Sequence, residues 1–238
     1  MESESPLKHL VGRFSELIQS GTNPPLDEAW ALIGCALAPK NSGDVMSQLN
    51  QLDQLAEQVS DSSIETLLQQ LFSGSKPFIG NVGDYYSASN SLLHCVLDTR
   101  MGIPISLSII VIEVARRLGI AMNGVGMPAH FLVGLTPESG LIPDQFIDPF
   151  HGGQLMDREQ TRRLFHRVAG EHQPFDSRFL AITPTLGILE RVLNNLKAIY
   201  LRHEDVVALR TVMMFRSRLP GIGPTEIEEF RRLVAPLN

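Results

Sequence analysis

The stretch that decides the fold is NSLLHCVLDTRMGIPISLSIIVIEVARRLGI (residues 90–120), followed by AMNGVGMPAHFLVGL (121–135) and DQFIDPFHGG (144–153). Leu92, Leu93, Val96 and Leu97 recur at helical spacing, which predicts a helix over roughly 89–100. Met101-Gly102 interrupts it. Pro104 then fits the first position of a helix over 104–118, because its missing N–H is unsatisfied there anyway. The first half of that helix is apolar nearly all round. Glu113, Arg116 and Arg117 bring only its far end to solvent, and Gly119 suits the residue after its end. Then the pattern changes. Gly124-Val-Gly, Phe131-Leu-Val-Gly-Leu and Phe146-Ile-Asp-Pro read as strands, with a hairpin loop expected over 136–143. The fold class is α+β, with a small antiparallel sheet.

Outward from this stretch the chain is helical. Leu7, Leu10, Val11, Phe14, Leu17 and Ile18 predict a one-faced helix with Pro6 at its start. A second helix is expected over 26–37, around the single tryptophan, Trp30, and a third around Leu49, Leu52 and Leu55. Ser62 with Glu65 has capping-box spacing before Leu67, Leu68, Leu71 and Phe72. On the other side, Asp157 suits the N-cap of a helix through Val168. Two more helices are expected after Pro184, over Leu186–Tyr200 and Val206–Phe215. Thr225 with Glu228 marks a further capping box. The division that follows is a helical N-terminal part (1–72), a core (73–170) and a helical tail (171–238).

The 238 residues are 43% hydrophobic and 19% charged, as a packed globular chain requires. The net charge of -6 comes without a basic run, which excludes a phosphate-backbone binder, so no nucleic acid is expected. Cys35 and Cys95 have no disulfide-framework spacing, and the N-terminus has no hydrophobic signal core. Both suggest a reducing, cytoplasmic setting. The apolar run 103–114 is too short to span a bilayer, which takes about 20 helical residues, so no membrane association is expected.

Two residues look chemical, His130 and Asp148. If the two strands pair antiparallel across the loop, they are cross-strand neighbours. A carboxylate beside an imidazole fixes its tautomer and stabilises its charged form, the base and orienter of a nucleophile–base–acid triad. The bland alternative is a structural histidine at a strand start. His94, His130, His151, His166 and His172, taken with the two cysteines, show no C-x-x-C or H-x-x-x-H pair, so no metal and no cofactor are expected.

Asn90-Ser-Leu-Leu, Arg100-Met-Gly-Ile-Pro-Ile-Ser-Leu-Ser, Glu113-Val-Ala-Arg-Arg-Leu-Gly, Gly124-Val-Gly-Met-Pro-Ala-His-Phe-Leu-Val and Phe146-Ile-Asp-Pro-Phe-His-Gly-Gly resemble the bacterial SirB-type family. That family lies within the transglutaminase-like superfamily and often carries a tetratricopeptide-repeat-like tail. The resemblance covers about residues 70–202. It implies a papain-like α+β core with a Cys opening a buried helix, a His on one strand and an Asp on the next. His130 and Asp148 match the His and Asp motifs. The Cys position falls on Pro104, which has no nucleophile.

Three residues stand near enough in sequence to substitute for it. Ser106 stands in the first helical turn, where N–H groups can stabilise an oxyanion, but about 200° around the axis from Pro104. Ser108 shares the face of Pro104 one turn deeper. The ordinary role of both is a hydroxyl bonded to backbone. Cys95 is the better nucleophile chemically, yet it lies on the preceding helix, outside the motif. Asn90 is expected to cap a helix or line the pocket. One functional expectation is a non-catalytic protein with a pocket at Asn90, Cys95 and Pro104, engaging a protein or peptide partner in an unassigned oligomeric state. The other is an amide or peptide hydrolase or acyltransferase using His130, Asp148 and Ser106 or Cys95. A pure scaffold would bury His130 without a cleft.

Overall fold

The structure, a computed structural model, describes residues 5–21, 23–38, 42–136, 140–221, 228–229 and 232. Four helices come first: α1 (Pro6–Gln19), α2 (Leu26–Leu37), α3 (Val45–Glu57) and α4 (Ile64–Ser73). A two-residue strand β1 (Ile79–Gly80) precedes α5 (Leu93–Thr99), and β2 (Met101–Gly102) leads straight into α6 (Pro104–Arg117). The sheet strands β3 (Met122–Val125), β4 (Leu132–Leu135), β5 (Gln145–Asp148) and β6 (Gln154–Asp157) follow. After α7 (Arg158–Ala169) the chain adds β7 (Ile182–Thr183), α8 (Thr185–Arg202) and α9 (Val206–Arg216). The Thr225 capping box lies outside the described residues.

The five-stranded sheet has the order β6-β5-β4-β3-β7, and all its pairs are antiparallel. Alternation along the strands splits its side chains between two cores. Phe131, Val133 and Ile147 enter the main core with α6. Leu132, Phe146 and Met156 form a second cluster with Leu164 and Phe165 of α7. The main core runs without a break from Phe14 of α1 to Phe215 of α9. Trp30 is fully buried and its indole N–H donates to the Ser91 carbonyl at 2.7 Å, fastening α2 to the segment before α5. Burying such a ring contributes roughly 3 kcal/mol. Among the described residues no helix is long and apolar enough to cross a membrane.

Several expectations shift. The cap of α4 is Ser63, not Ser62: its hydroxyl accepts from the Thr66 N–H, while Asp61 accepts from the Ser63 N–H. The helix expected from residue 89 opens as a 3-10 turn over Ala88–Ser91 and stops at Arg100, whose φ is +58°. Strands β1, β2 and β7 have two residues each, too few to show any alternation. β6 follows the Gly152-Gly153 turn, with φ of +77° and +74°, a backbone that glycine adopts without strain.

Candidate functional site

The site is assembled where the sheet meets the start of α6. β2 delivers Pro104 to the first turn of α6 and pairs in parallel with β1. β1 and α6 both pack against the 3-10 turn Pro149–His151 that follows β5. The approach is close enough that a Cβ on Gly80 would stand 2.6 Å from the Phe150 carbonyl oxygen, so only glycine fits there. Pro104 itself is buried.

His130 does not sit on a strand. It ends the turn before β4: its N–H donates to the Met127 carbonyl, and Ala129 beside it has φ of +62°. β4 and β5 pair Val133 with Ile147 and Gly134 with Phe146. Continuing that register sets Asp148 opposite Leu132, so His130 reaches Asp148 diagonally rather than directly across. The contact itself forms: His130 Nε2 lies 3.0 Å from Asp148 Oδ1, with both side chains buried.

A third residue joins them. His151 Nδ1 lies 2.7 Å from Asp148 Oδ2, and the His151 backbone N–H donates to Asp148 Oδ1 at 3.3 Å. Burial alone would push the Asp148 carboxyl up. The hydrogen bonds and charges of His130, then of His151, outweigh burial and hold it below the ordinary carboxylate value. The ring of Phe150 meets His130 edge-on at 6.1 Å. Arg191 of α8 braces the turn from behind. Its guanidinium donates to the carbonyls of Met127 (3.3 Å) and His130 (3.0 Å) and lies over the Phe131 ring at 5.1 Å.

The expected nucleophiles are engaged elsewhere. Ser106 Oγ accepts from the Ile103 N–H at 3.0 Å and donates to the Ile103 carbonyl at 3.1 Å, a local cap. Ser108 Oγ reaches the Phe131 carbonyl at 3.5 Å. Cys95 is half-buried on α5. Burial and then the nearby Asp98 push its thiol up, the reverse of nucleophile activation. Among the described residues the ring of His130 hydrogen-bonds to Asp148 and to none of these three. Asn90 acts one layer out. Its side chain accepts from Asn81 and donates to the carbonyls of Asp84 and Tyr85. That shapes the loop holding Tyr85 against Phe150, with ring centres 6.0 Å apart. Clefts of about 410 Å³ and 590 Å³ are lined by other residues, the first by Glu113, Arg116 and Pro184, the second by Leu10, Leu37 and Val207.

Residues 45–194 match the profile of a family described as the transglutaminase-like superfamily. The chain belongs to that superfamily. Among its relatives, a UPF0162 protein of Xylella fastidiosa is 42% identical over 126 residues, 52% of this chain and 44% of the relative. A UPF0162 protein of Vibrio cholerae is 26% identical over 213 residues, 89% of this chain and 74% of its own length. F-box only protein 21 of Mus musculus is 33% identical over 148 residues, 60% of this chain but 22% of that protein. The match thus spans less than half of the Xylella relative and less than a quarter of the mouse protein.

The superfamily's His and Asp motifs point to His130 and Asp148 but not to the other two members of this cluster, His151 and Arg191. His151 carried a signal: it stands three residues after Asp148, with Pro149 between them and two glycines behind. Arg191 carried none, since 61 residues separate it from His130.

Proposed function

We propose that this is a non-catalytic member of the transglutaminase-like superfamily, of the SirB type, acting in protein interaction or ligand binding. The observation that carries this reading is Pro104 at the opening of α6, where a nucleophilic Cys is expected, with Ser106 bonded to its own helix start. A base and an orienter without a nucleophile can bind and polarise a group but cannot form a covalent intermediate with it. The tail after residue 170 is read as tetratricopeptide-repeat-like, its paired helices α8 and α9 offering a surface to a protein or peptide partner in the cytoplasm. The match to 22% of F-box only protein 21 is compatible with a domain that can stand within a longer chain.

The second reading is an amide or peptide hydrolase or acyltransferase. The buried 3.0 Å bond between His130 and Asp148 favours it. Incubating the purified chain with a fluorophosphonate and with iodoacetamide, followed by peptide mapping, separates the two. The non-catalytic reading expects no modification of Ser106 or Cys95 that depends on His130. Labelling that disappears in His130→Ala would establish the enzyme instead.

A further inference from the structure

We propose that His130, Asp148 and His151 form a binding site for a divalent transition-metal ion of the zinc class. This deepens the reading above, in that the ligand of the nucleophile-free site is a cation. One ligand atom from each of the three residues can be chosen so that all lie within 4.8 Å of one another. Four-coordinate zinc with bonds of about 2.1 Å sets its donors roughly 3.4 Å apart, so small side-chain adjustments close the set. Two imidazole nitrogens and one carboxylate oxygen are the donors that borderline metals favour, whereas magnesium and calcium want more oxygens.

The frame is set before any ion arrives. Asp148 sits at the end of β5, where it also receives the His151 N–H. Arg191 grips the carbonyls on either side of the His130 turn. Gly152 and Gly153 turn the chain sharply after His151. Access is one-sided. His130 and Asp148 are buried, while half of the His151 side chain meets solvent. An ion would enter past His151, and three protein donors leave a position for water. Without an ion, each imidazole that donates to Asp148 carries its proton on the facing nitrogen. On coordination that nitrogen presents its lone pair, and the proton moves to the far ring nitrogen. A neutral ring therefore releases no net proton, and a protonated one releases a single proton to solvent.

The test is calorimetric titration of the tag-free, chelator-stripped full chain with zinc chloride, alongside cobalt(II) absorption. One ion per chain is expected, with a Kd on the order of micromolar or tighter. Visible cobalt bands of a low-coordinate N/O site should accompany it. Because His151 is half-exposed, His151→Ala should fold, and it should weaken binding about tenfold or more. His172→Ala, an exposed control, should leave binding unchanged. No stoichiometric ion, or wild-type affinity in both His151→Ala and Asp148→Asn, overturns the proposal. The probe experiment is read separately. Absence of labelling with no ion removes the metal alone. His130-dependent labelling with an ion bound removes only the non-catalytic reading. Such labelling without an ion removes both.

Discussion

Pro104 and His130 define the chemistry at the scale of single residues. A cysteine at the start of a buried helix is activated by the free N–H groups of the first turn and by a neighbouring imidazole. A proline there keeps the helix start and loses the thiol. Pro104→Cys should therefore restore the missing group at a cost of about 1 kcal/mol, since the substitution gives up a pre-set φ. Its alkylation rate by iodoacetamide, followed against pH, is expected to have a midpoint at or below about 7.5, against about 8.5 for an ordinary thiol. An ordinary midpoint would mean that position 104 does not face His130. Ser106 cannot substitute in place, because releasing its hydroxyl would leave the Ile103 N–H without the acceptor it has now.

The elements matter through what they hold. α8 comes long after the His130 turn in the chain, yet its Arg191 fastens that turn. Burial pushes the Arg191 guanidinium pKa down, and the opposing influence comes from Tyr85. Its hydrogen bonds to two carbonyls and its place over Phe131 offset the cost of burying a cation. Arg191→Met should cost about 1–3 kcal/mol in urea unfolding, the range for losing charged hydrogen bonds. It should also broaden the His130 ring signals in an imidazole NMR spectrum while leaving those of His172 sharp. Unchanged His130 signals would show that the turn holds itself. The 3-10 turn Pro149–His151 is the second such element. Its three residues carry both the aromatic wall, Phe150, and the third polar group of the site.

Over the whole molecule, a charge network ties the leading helices to the core at the far end of α6. Arg116 and Arg117 both reach Asp27 of α2 at 2.8 Å, Arg117 reaches Asp53 of α3 at 2.6 Å, and both also contact Glu113. The two buried carboxylates fare differently. Burial would raise Asp27, but bonds and charges from Arg117 and Arg116 hold it below its usual value. Burial, then repulsion by Asp27, pushes Glu113 up to about 7. The folded state thus binds the Glu113 proton more tightly than the unfolded chain, whose carboxyl titrates near 4.5. Its contribution is fully present below that value and is lost as pH rises to about 7. Glu113→Gln should flatten this part of the stability profile. The difference from the parent between pH 4.5 and 7 should be at most on the order of 3 kcal/mol, read by urea unfolding across that range. A parallel pair of profiles would mean that Glu113 stays ionised. Asp27 acts in the opposite sense and in a lower window, losing its contribution as pH falls below about 4.

The sequence by itself determined the helices, because an apolar stripe of period 3.6 and a cap are local signals: α1, α2 and α6 begin at Pro6, Leu26 and Pro104 as their patterns require. It also pointed to His130 and Asp148, whose side chains do meet, and to Pro104 at the opening of α6. Only the tertiary structure decided the rest. Strands β1, β2 and β7 exist through their partners, since two residues have no periodicity to read. Ser106 could have faced a substrate until its hydroxyl closed on Ile103. Arg191 reaches His130 across 61 residues of chain, and His151 becomes part of the site only because the turn after β5 folds it back onto Asp148. Contacts between side chains distant in sequence leave no local pattern, so the composition of the site, unlike its location, depends on packing.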